Sequence, residues 1–282
     1  MPELPEVETV LSGLKQILEG HVIKDARIYS PKLRNVIPER LRQTLVNQRV
    51  EGMRRRAKYM VWDLDNEQSI IVHLGMTGVF RTLLPSQEKY QHQTHDHLWM
   101  RLDNGLEIVY RDPRRFGVID TCPTAQVDQS PYLAHLGIEP LDKKFTASKI
   151  YPLLAARKIS IKQAIMDQEL VVGVGNIYAS EALFMAGIDP RKSAKDVGVE
   201  ELDGLVKAIK KILKSAIKAG GSTLRDYRKI GGERGYFQTQ FSVYDREGSA
   251  CPDCTCKVNQ TGGIKRIVQG NRSTFYCPRK QK

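Results

Sequence analysis

Long apolar runs are missing from this 282-residue chain, and no stretch approaches the roughly 20 apolar residues of a membrane-spanning helix. A basic start followed by an apolar stretch is also missing. We therefore expect no secretory signal, no membrane partner and a cytoplasmic location. Cysteine is scarce, and four of the five cysteines fall within the last 32 residues. In a chain without an export signal, this clustering indicates a metal site rather than a disulfide framework.

Acidic residues are also few relative to basic ones. Asp and Glu number 32 against 44 Lys and Arg, which gives a net charge of +12 and a pI near 9.4. This excess favours a polyanionic partner, with nucleic acid as the first candidate, although solubility alone is an alternative explanation. The length predicts about two domains.

The opening stretch MPELPEVETV places a proline directly after methionine and carboxylates at Glu3, Glu6 and Glu8. Methionine before a small residue is commonly removed, so we expect the nitrogen of Pro2 to be a free secondary amine, a nucleophile that no internal proline offers. Apolar spacing predicts that a helix begins here, with Pro5 in its first turn. Acidic residues at a helix start are also ordinary caps, which is the alternative reading.

Further along, the patterning changes from strand to helix. Short β-rich runs and a DNG turn between about residues 21 and 125 predict an antiparallel sandwich or barrel. Residues 126–140 indicate a linker, and apolar spacing near 3.6 predicts helices over about 145–219. Residues 220–242 are rich in Gly and Arg and predict a mobile loop.

The C-terminal cysteines nearly complete a four-cysteine zinc ribbon. Cys251 and Cys254 form one pair, but Cys277 is followed by Lys280 where the fourth ligand is expected. Cys256 could contribute instead, although three thiolates so close in sequence would strain the usual geometry. We expect one Zn²⁺ per chain, and a zinc-free packed β-hairpin is the alternative.

Two further segments carry features of DNA binding. In VGVGNIYASEALF, glycines and Asn176 precede an apolar helix, and exposed amides at a helix start bind phosphate well, although such residues are often only a cap. In RRRAKYM, Lys58 lies beside three arginines, which raises phosphate affinity. A solvated basic strand end is the ordinary alternative.

Two turns could unstack bases. HLGMTG carries Met76, and YRDPRRFGVID carries Arg114, Arg115 and Phe116. Proteins that kink DNA insert apolar side chains between bases, while arginine reads or fills the gap. The alternative interpretation is that Met76 and Phe116 belong to the hydrophobic core.

Taken together, these motifs resemble those of one family. PELPEVETV, RRAKYM, HLGMTG, DPRRFG, DQELVVGVGNIYASEALFMAGIDP, GGSTLRDY and GNRSTFYC are similar in content and order to formamidopyrimidine-DNA glycosylases, from Pro2 to Cys277. The resemblance implies an α+β fold. Its parts would be an N-terminal helix with an antiparallel β-sandwich over 2–125, a helix–two-turn–helix domain over 126–242 with a lesion-capping loop at about 220–242, and a zinc-finger-like β-hairpin over 243–282.

The resemblance also assigns roles to individual residues. Pro2 would be the nucleophile, Glu3 the acid–base residue, and Lys58 and Arg272 would assist elimination and bind phosphate. The DNA-binding residues would be His95, Arg114, Lys158, Asn176, Met76, Phe116, Arg115 and Lys162. Lesion recognition would fall to Glu6, Glu181 and Arg225. Lys280 departs from the family pattern, which leaves Cys251, Cys254 and Cys277 as the implied zinc ligands.

The implied function is a bifunctional DNA glycosylase and AP lyase of base excision repair. It would act as a monomer on double-stranded DNA containing oxidised purines or abasic sites, through a Schiff base at Pro2 and without an organic cofactor. Three alternatives remain open: an endonuclease VIII-like glycosylase for oxidised pyrimidines, a catalytically silent DNA-damage binding protein, and a general zinc-ribbon nucleic-acid binder.

Overall fold

The computed structural model describes residues 1–84, 90–222, 235–254 and 257–282, which form two compact units. The first unit comprises Met1–Ala134 and Ala219–Tyr236, and the second comprises His135–Lys218 and Phe237–Lys282. Both contain helices and antiparallel strands, so the α+β class is confirmed. The three-domain division at residues 125 and 242 stays a prediction.

The first unit begins with helix α1, Leu4–Leu18. Its apolar residues recur every three or four positions, and the stripe they form is buried at Leu4, Val7, Val10, Leu11, Leu14 and Leu18. The helix ends at Leu18 with Glu19 as its C-cap, because Gly20 adopts a positive φ of 84° and donates its N–H to Val50 O. The predicted helix is confirmed.

Two four-stranded antiparallel sheets follow, each with its own strand order. The first sheet contains, in spatial order, β1 (Ile23–Ile28), β6 (Asp96–Leu102), β7 (Glu107–Arg111) and β5 (Val79–Leu83). The second contains β2 (Val50–Arg56), β3 (Tyr59–Leu64), β4 (Gln68–His73) and β8 (Val118–Pro123). A short helix α2, Leu41–Leu45, lies between β1 and β2 in sequence. The DNG segment forms the predicted β6–β7 hairpin.

The inner faces of the two sheets and the buried stripe of α1 share one hydrophobic core. Trp62 of β3 packs against Phe80 of β5 with ring centroids 5.6 Å apart, and Phe80 lies 5.0 Å from Tyr110 of β7. Each fully buried apolar side chain of this kind contributes about 1.5–3 kcal/mol. The arrangement is the predicted β-sandwich, and it provides a rigid support for the turns at the strand ends.

The second unit is built around helix α5. Its helices are α3 (Ala147–Leu154), α4 (Ile161–Met166), α5 (Asn176–Ala186), α6 (Val199–Lys218) and α7 (Val258–Thr261). Helix α5 is apolar on nearly all sides and is almost entirely buried, as expected for a central helix. In contrast, α6 is strongly amphipathic and buries only one stripe. None of the helices in the described ranges is both long and apolar enough to cross a membrane.

A two-stranded hairpin, β9 (Lys265–Gln269) and β10 (Arg272–Tyr276), closes the second unit. Its two-residue turn consists of Gly270 and Asn271, both with positive φ, which is the backbone that a tight hairpin turn requires. Short 3₁₀ turns occur at Thr124–Gln129, Ala194–Asp196 and Phe237–Gln240.

Candidate active site

The residues at the start of α1 are fixed by a reciprocal pair of hydrogen bonds. The N–H of Glu3 donates to Glu6 Oε2 at 2.8 Å, and the Glu3 carboxylate accepts the N–H of Glu6. Pro2, Glu3 and Glu6 are all buried, whereas Met1 is half exposed. This capping box satisfies the backbone of the first turn and holds Pro2 at the positive end of the helix dipole.

The second oxygen of Glu6 holds another segment. Glu6 Oε1 accepts the backbone N–H of Ser222 at 2.8 Å and the Ser222 hydroxyl at 3.1 Å. Gly221 has a φ of 76°, and a Cβ there would lie 3.0 Å from Glu6 Oε1, so glycine suits this approach. Glu6 thus joins the start of α1 to the residues that lead into 223–234. Arg225 and most of the predicted lesion-capping loop lie outside the described residues.

Lys58 lies in the tight turn between β2 and β3 and is 6% exposed. Its neighbour Ala57 has a φ of 54°, and the carbonyl of Ala57 accepts a hydrogen bond from Arg55 Nη1 at 3.0 Å. Arg55 also pairs with Glu8 of α1, with 2.6 Å between Nε and Oε2. The turn that carries Lys58 is therefore linked to helix α1, which Pro2 precedes.

His73, at the end of β4, was not singled out from the sequence. It pairs with Tyr59 across the sheet, and its Nδ1 accepts the N–H of Gly75 at 3.0 Å. Burial, the charge of Lys58 and the charge of Arg34 lower the pKa of His73 to about 4. His73 is thus neutral near pH 7, and it fixes the start of the turn that carries Met76.

The two predicted wedge turns lie side by side. Gly75 adopts a φ of 63°, and a Cβ there would approach the backbone of Phe116 to 2.4 Å, so only glycine allows this contact. Met76 is 36% exposed and Phe116 is 44% exposed, while the guanidinium of Arg114 lies 4.7 Å from the Phe116 ring centroid. The interpretation of Met76 and Phe116 as core residues is therefore wrong.

A fully buried carboxylate, Asp112, holds the two turns together. Asp112 Oδ1 accepts the Thr77 hydroxyl, and Thr77 Oγ1 accepts the N–H of Arg114 at 3.2 Å. Asp112 Oδ2 accepts the N–H of Gly117 at 2.8 Å. Because the carboxylate uses both oxygens internally, the exposed side chains of these turns project from a fixed backbone.

Beside these turns is a cavity of about 380 Å³. Its lining includes Tyr29, His92, His95, His97 and Arg115. His95 and Arg115 both have positive φ values, 73° and 56°. Two of the predicted DNA-binding residues, His95 and Arg115, line the same cavity, and their role in binding stays a prediction.

In the second unit, the Lys162 ammonium lies inside the protein. It is 1% exposed and donates to Asn176 Oδ1 at 2.6 Å, to Thr274 Oγ1 at 2.6 Å and to Ser273 O at 3.2 Å. Asn176 also donates to Ser273 O at 2.9 Å. These contacts join the start of α5 to strand β10, whose first residue, Arg272, is exposed. Lys158 is exposed as well.

Glu181, in the middle of α5, is 1% exposed. Its carboxylate accepts three backbone N–H groups, from Ser242 at 2.9 Å, Val243 at 3.0 Å and Tyr244 at 2.8 Å. Glu181 therefore anchors the segment that enters the C-terminal module. A role in lesion recognition stays a prediction.

Three cysteines of the C-terminal module meet in space. The Sγ atoms of Cys251, Cys254 and Cys277 all lie within 4.8 Å of one another, and those of Cys254 and Cys277 are 3.6 Å apart. A tetrahedral ion bound at about 2.3 Å from sulfur requires spacings of this order. The three thiols therefore fit three positions of a metal site, and Cys256 lies outside the described residues.

Comparison with known proteins places this arrangement in a family. Two family models match, the formamidopyrimidine-DNA glycosylase N-terminal domain over residues 1–119 and the formamidopyrimidine-DNA glycosylase H2TH domain over residues 136–228. The chain belongs to the formamidopyrimidine-DNA glycosylase family. The resemblance drawn from the sequence motifs is thereby confirmed.

Full-length relatives agree with this placement. The formamidopyrimidine-DNA glycosylase of Paracoccus denitrificans is 46% identical over 99% of both chains, and that of a Ruegeria species is 43% identical over the whole of both. Among solved structures, a mutant Lactococcus lactis FPG in complex with Fapy-dG DNA matches with a TM-score of 0.88, 31% identity and complete coverage of both chains. A Lactococcus lactis Fpg bound to abasic-site DNA matches with a TM-score of 0.87, 31% identity and 99% coverage.

The structure adds residues that motif reading missed. Asp112 and Ser222 hold functional segments through buried hydrogen bonds, as His73 does through its ring nitrogen. Their sequence motifs were recognised, since Asp112 precedes Arg114 and Arg115 and Ser222 lies in the Gly- and Arg-rich segment 220–242. However, a partner up to 216 positions away in sequence cannot be read from local spacing.

Proposed function

We propose that this protein is a bifunctional DNA glycosylase and AP lyase that removes oxidised purines from duplex DNA. The observation that carries the proposal is the capping box that holds Pro2 and Glu3, buried and adjacent, at the start of α1. The family placement supplies the reaction class, and the Lactococcus lactis relatives were solved with Fapy-dG and abasic-site DNA. An extruded lesion nucleotide is the substrate.

Pro2 acts as the nucleophile once Met1 is removed. An α-amino group has a pKa of about 8, so roughly a tenth is neutral near pH 7, far more than for a lysine side chain. The neutral amine attacks C1′ of the damaged nucleotide, and the C1′–N bond to the base breaks as the base leaves with a proton. The nitrogen then loses its proton, the ring oxygen O4′ takes one up, and the C1′–O4′ bond breaks, which leaves an iminium that joins Pro2 to C1′.

The iminium draws electrons, which makes the C2′ hydrogen acidic. Removal of that proton expels the 3′ phosphate, and a second elimination expels the 5′ phosphate. Glu3 is the neighbouring group that can donate or accept protons at the sugar. Lys58, at the β2–β3 turn, and Arg272, at the start of β10, supply positive charge for the phosphates.

The exposed turns of the first unit serve base extrusion. Flipping a nucleotide out of the stack costs a few kcal/mol. Met76 and Phe116, held by Asp112 and Gly75, offset part of that cost because they occupy the vacated space. Arg114, which lies over the Phe116 ring, reads the base opposite the gap.

The metal of the C-terminal module is proposed to be Zn²⁺ held by Cys251, Cys254 and Cys277. Cys251 and Cys277 are buried and Cys254 is partly buried, and three thiols match the soft-ligand preference of zinc. When bound, the ion would cross-link the module that carries Arg272. It takes no part in the chemistry at C1′.

Cleavage assays on matched duplexes test the proposal. Strand cleavage of an 8-oxoguanine duplex should exceed that of a thymine-glycol duplex, with products that carry phosphate at both ends of the gap. A preference for thymine glycol would favour the endonuclease VIII-like alternative. Binding to both duplexes without any cleavage would favour the silent binding protein.

A further inference from the structure

The C-terminal module departs from a four-cysteine site at one position, and the structure shows what stands there. Residue 280, the expected fourth ligand, is a lysine, and its ammonium bonds Asp253 Oδ2. Asp253 lies between Cys251 and Cys254. The pair therefore connects the two chain segments, 251–254 and 277–280, that a fourth metal ligand would connect.

The same ammonium has a second partner. Lys280 Nζ lies 4.1 Å from the centroid of the Phe184 ring, and Phe184 is a buried residue of α5. A cation over an aromatic face is attracted more strongly when it is partly shielded from water, and the Lys280 side chain is 22% exposed. Two protein groups, the Asp253 carboxylate and the Phe184 ring, therefore hold the Lys280 ammonium without a metal ion.

The rest of the module is anchored by contacts that need no metal ion. Its apolar residues, Val243, Ile264 and Phe275, pack in one cluster with Phe184, and Cys251 and Cys277 belong to the same cluster as buried side chains. The side chain of Gln281 accepts the N–H of Cys277 at 2.8 Å and donates to Ile188 O at 2.9 Å.

The final backbone residues are paired as well. Lys282 donates its N–H to Gly187 O at 3.0 Å and accepts the N–H of Asp189 at 3.1 Å. Together with the Glu181 contact, these bonds attach both ends of the module to α5 and the residues that follow it, and Lys162 of α4 holds strand β10.

We propose that Lys280, through Asp253 and Phe184, replaces the fourth metal ligand as the link that closes this module, so that the module keeps its fold and presents Arg272 when no metal is bound. This inference extends the proposal for the metal site to the state in which no metal is bound. It rests on the proposed function only because the DNA probe of the experiment was chosen from that function. It differs from a closed zinc site, in which folding depends on the ion.

The experiment uses the full-length protein before and after treatment with a chelator, with metal content measured by mass spectrometry. Two readouts are followed: the thermal unfolding midpoint, and the affinity for a duplex containing a tetrahydrofuran abasic analogue. For the wild type, metal removal should shift the midpoint by less than about 2 °C and the affinity by less than about twofold.

Variants distinguish the contribution of the Lys280–Asp253 ion pair to stability and DNA affinity from that of the cysteine thiols. In the metal-free state, Lys280→Ala should bind the duplex about tenfold more weakly than the wild type and unfold about 3–6 °C lower, whereas Lys280→Arg should retain both values. Lys282→Ala, which removes the same charge from an exposed side chain two residues away, is the matched control and should behave as the wild type. Lys280→Cys should make the midpoint sensitive to the chelator.

Three results would overturn the inference. One is a wild-type midpoint that falls by about 10 °C or more on metal removal. Another is a Lys280→Ala variant indistinguishable from Lys282→Ala. The third is a Cys256→Ser variant that loses both metal and stability, because Cys256 would then close the site. Failure of the proposed function is distinct, since it would appear as absent or altered cleavage of the 8-oxoguanine duplex while the unfolding midpoints of these variants kept the expected order.

Discussion

The two ends of the chain are held in different ways. At the start of α1, Glu3 and Glu6 exchange hydrogen bonds and the sequence follows the family motif without a gap. At the C-terminus, the cysteine thiols, the Lys280–Asp253 ion pair and the Gln281 amide lie close together, and Lys280 departs from the family motif. The difference teaches that a group which performs chemistry has no substitute, whereas a group which only holds two segments together can be replaced by other contacts.

The largest effect expected from this comparison is at Glu3. Glu3→Gln removes the proton-transfer group beside Pro2 but keeps an oxygen that can cap α1. Strand cleavage should fall by about 10²–10⁴-fold. Single-turnover cleavage of an 8-oxoguanine duplex measures this loss, while affinity for the abasic-analogue duplex should change little. Glu51→Gln, an exposed carboxylate of β2, is the control and should cleave normally.

Glu181 tests the claim that a buried carboxylate anchors the second unit. Glu181→Ala leaves three backbone N–H groups of Ser242, Val243 and Tyr244 without their acceptor. The loss should be about 3–5 kcal/mol in the free energy of unfolding. Calorimetric unfolding measures it, with Glu200→Ala, an exposed residue of α6, as the comparison. Equal midpoints for the two variants would show that the anchor contributes nothing.

The wedge residues should affect DNA binding without affecting stability. Met76→Ala and Phe116→Ala remove exposed apolar side chains, so the free energy of unfolding should stay within about 0.5 kcal/mol of the wild type. Affinity for the abasic-analogue duplex should fall about tenfold, equivalent to about 1.4 kcal/mol. Val36→Ala, which is 65% exposed on the same unit, is the control. Loss of stability without loss of affinity would contradict the assignment.

The smallest expected effect concerns pH. Because the pKa of His73 is lowered from 6.5 to about 4 in the folded state, the unfolded chain takes up the proton first as the pH falls. The stabilisation is complete above pH 6.5 and is lost progressively between pH 6.5 and 4. His73→Asn retains an acceptor for the Gly75 N–H and does not titrate. Its unfolding midpoint should therefore fall less steeply than that of the wild type over this range.

Local features of the fold were predictable from the sequence. The stripe of α1, the DNG hairpin and the succession of strands and helices depend on spacing within a few residues, and they are confirmed. The exposure of Met76 and Phe116 was not predictable, because it depends on Gly75 lying against the backbone of Phe116. Apolar side chains in a turn are ambiguous until that long-range contact is known.

The candidate site also contains residues that a local motif predicts and residues whose contacts depend on distant parts of the chain. Pro2 and Glu3 were identified because they lie in one continuous motif. The hydrogen bond between Ser222 and Glu6 joins positions 216 residues apart, and no local sequence pattern predicts it. At Lys280 the sequence predicted a missing ligand, but the partners Asp253 and Phe184 became visible only in the folded chain.

Chemical capture of the sugar on the protein tests the central claim most directly. The protein is incubated with 8-oxoguanine duplex and borohydride, and the trapped adduct is digested and sequenced by mass spectrometry. We expect a reduced deoxyribose on the nitrogen of Pro2, in a peptide that lacks Met1. An adduct on Lys58 or another lysine, with Pro2 unmodified, would contradict the account.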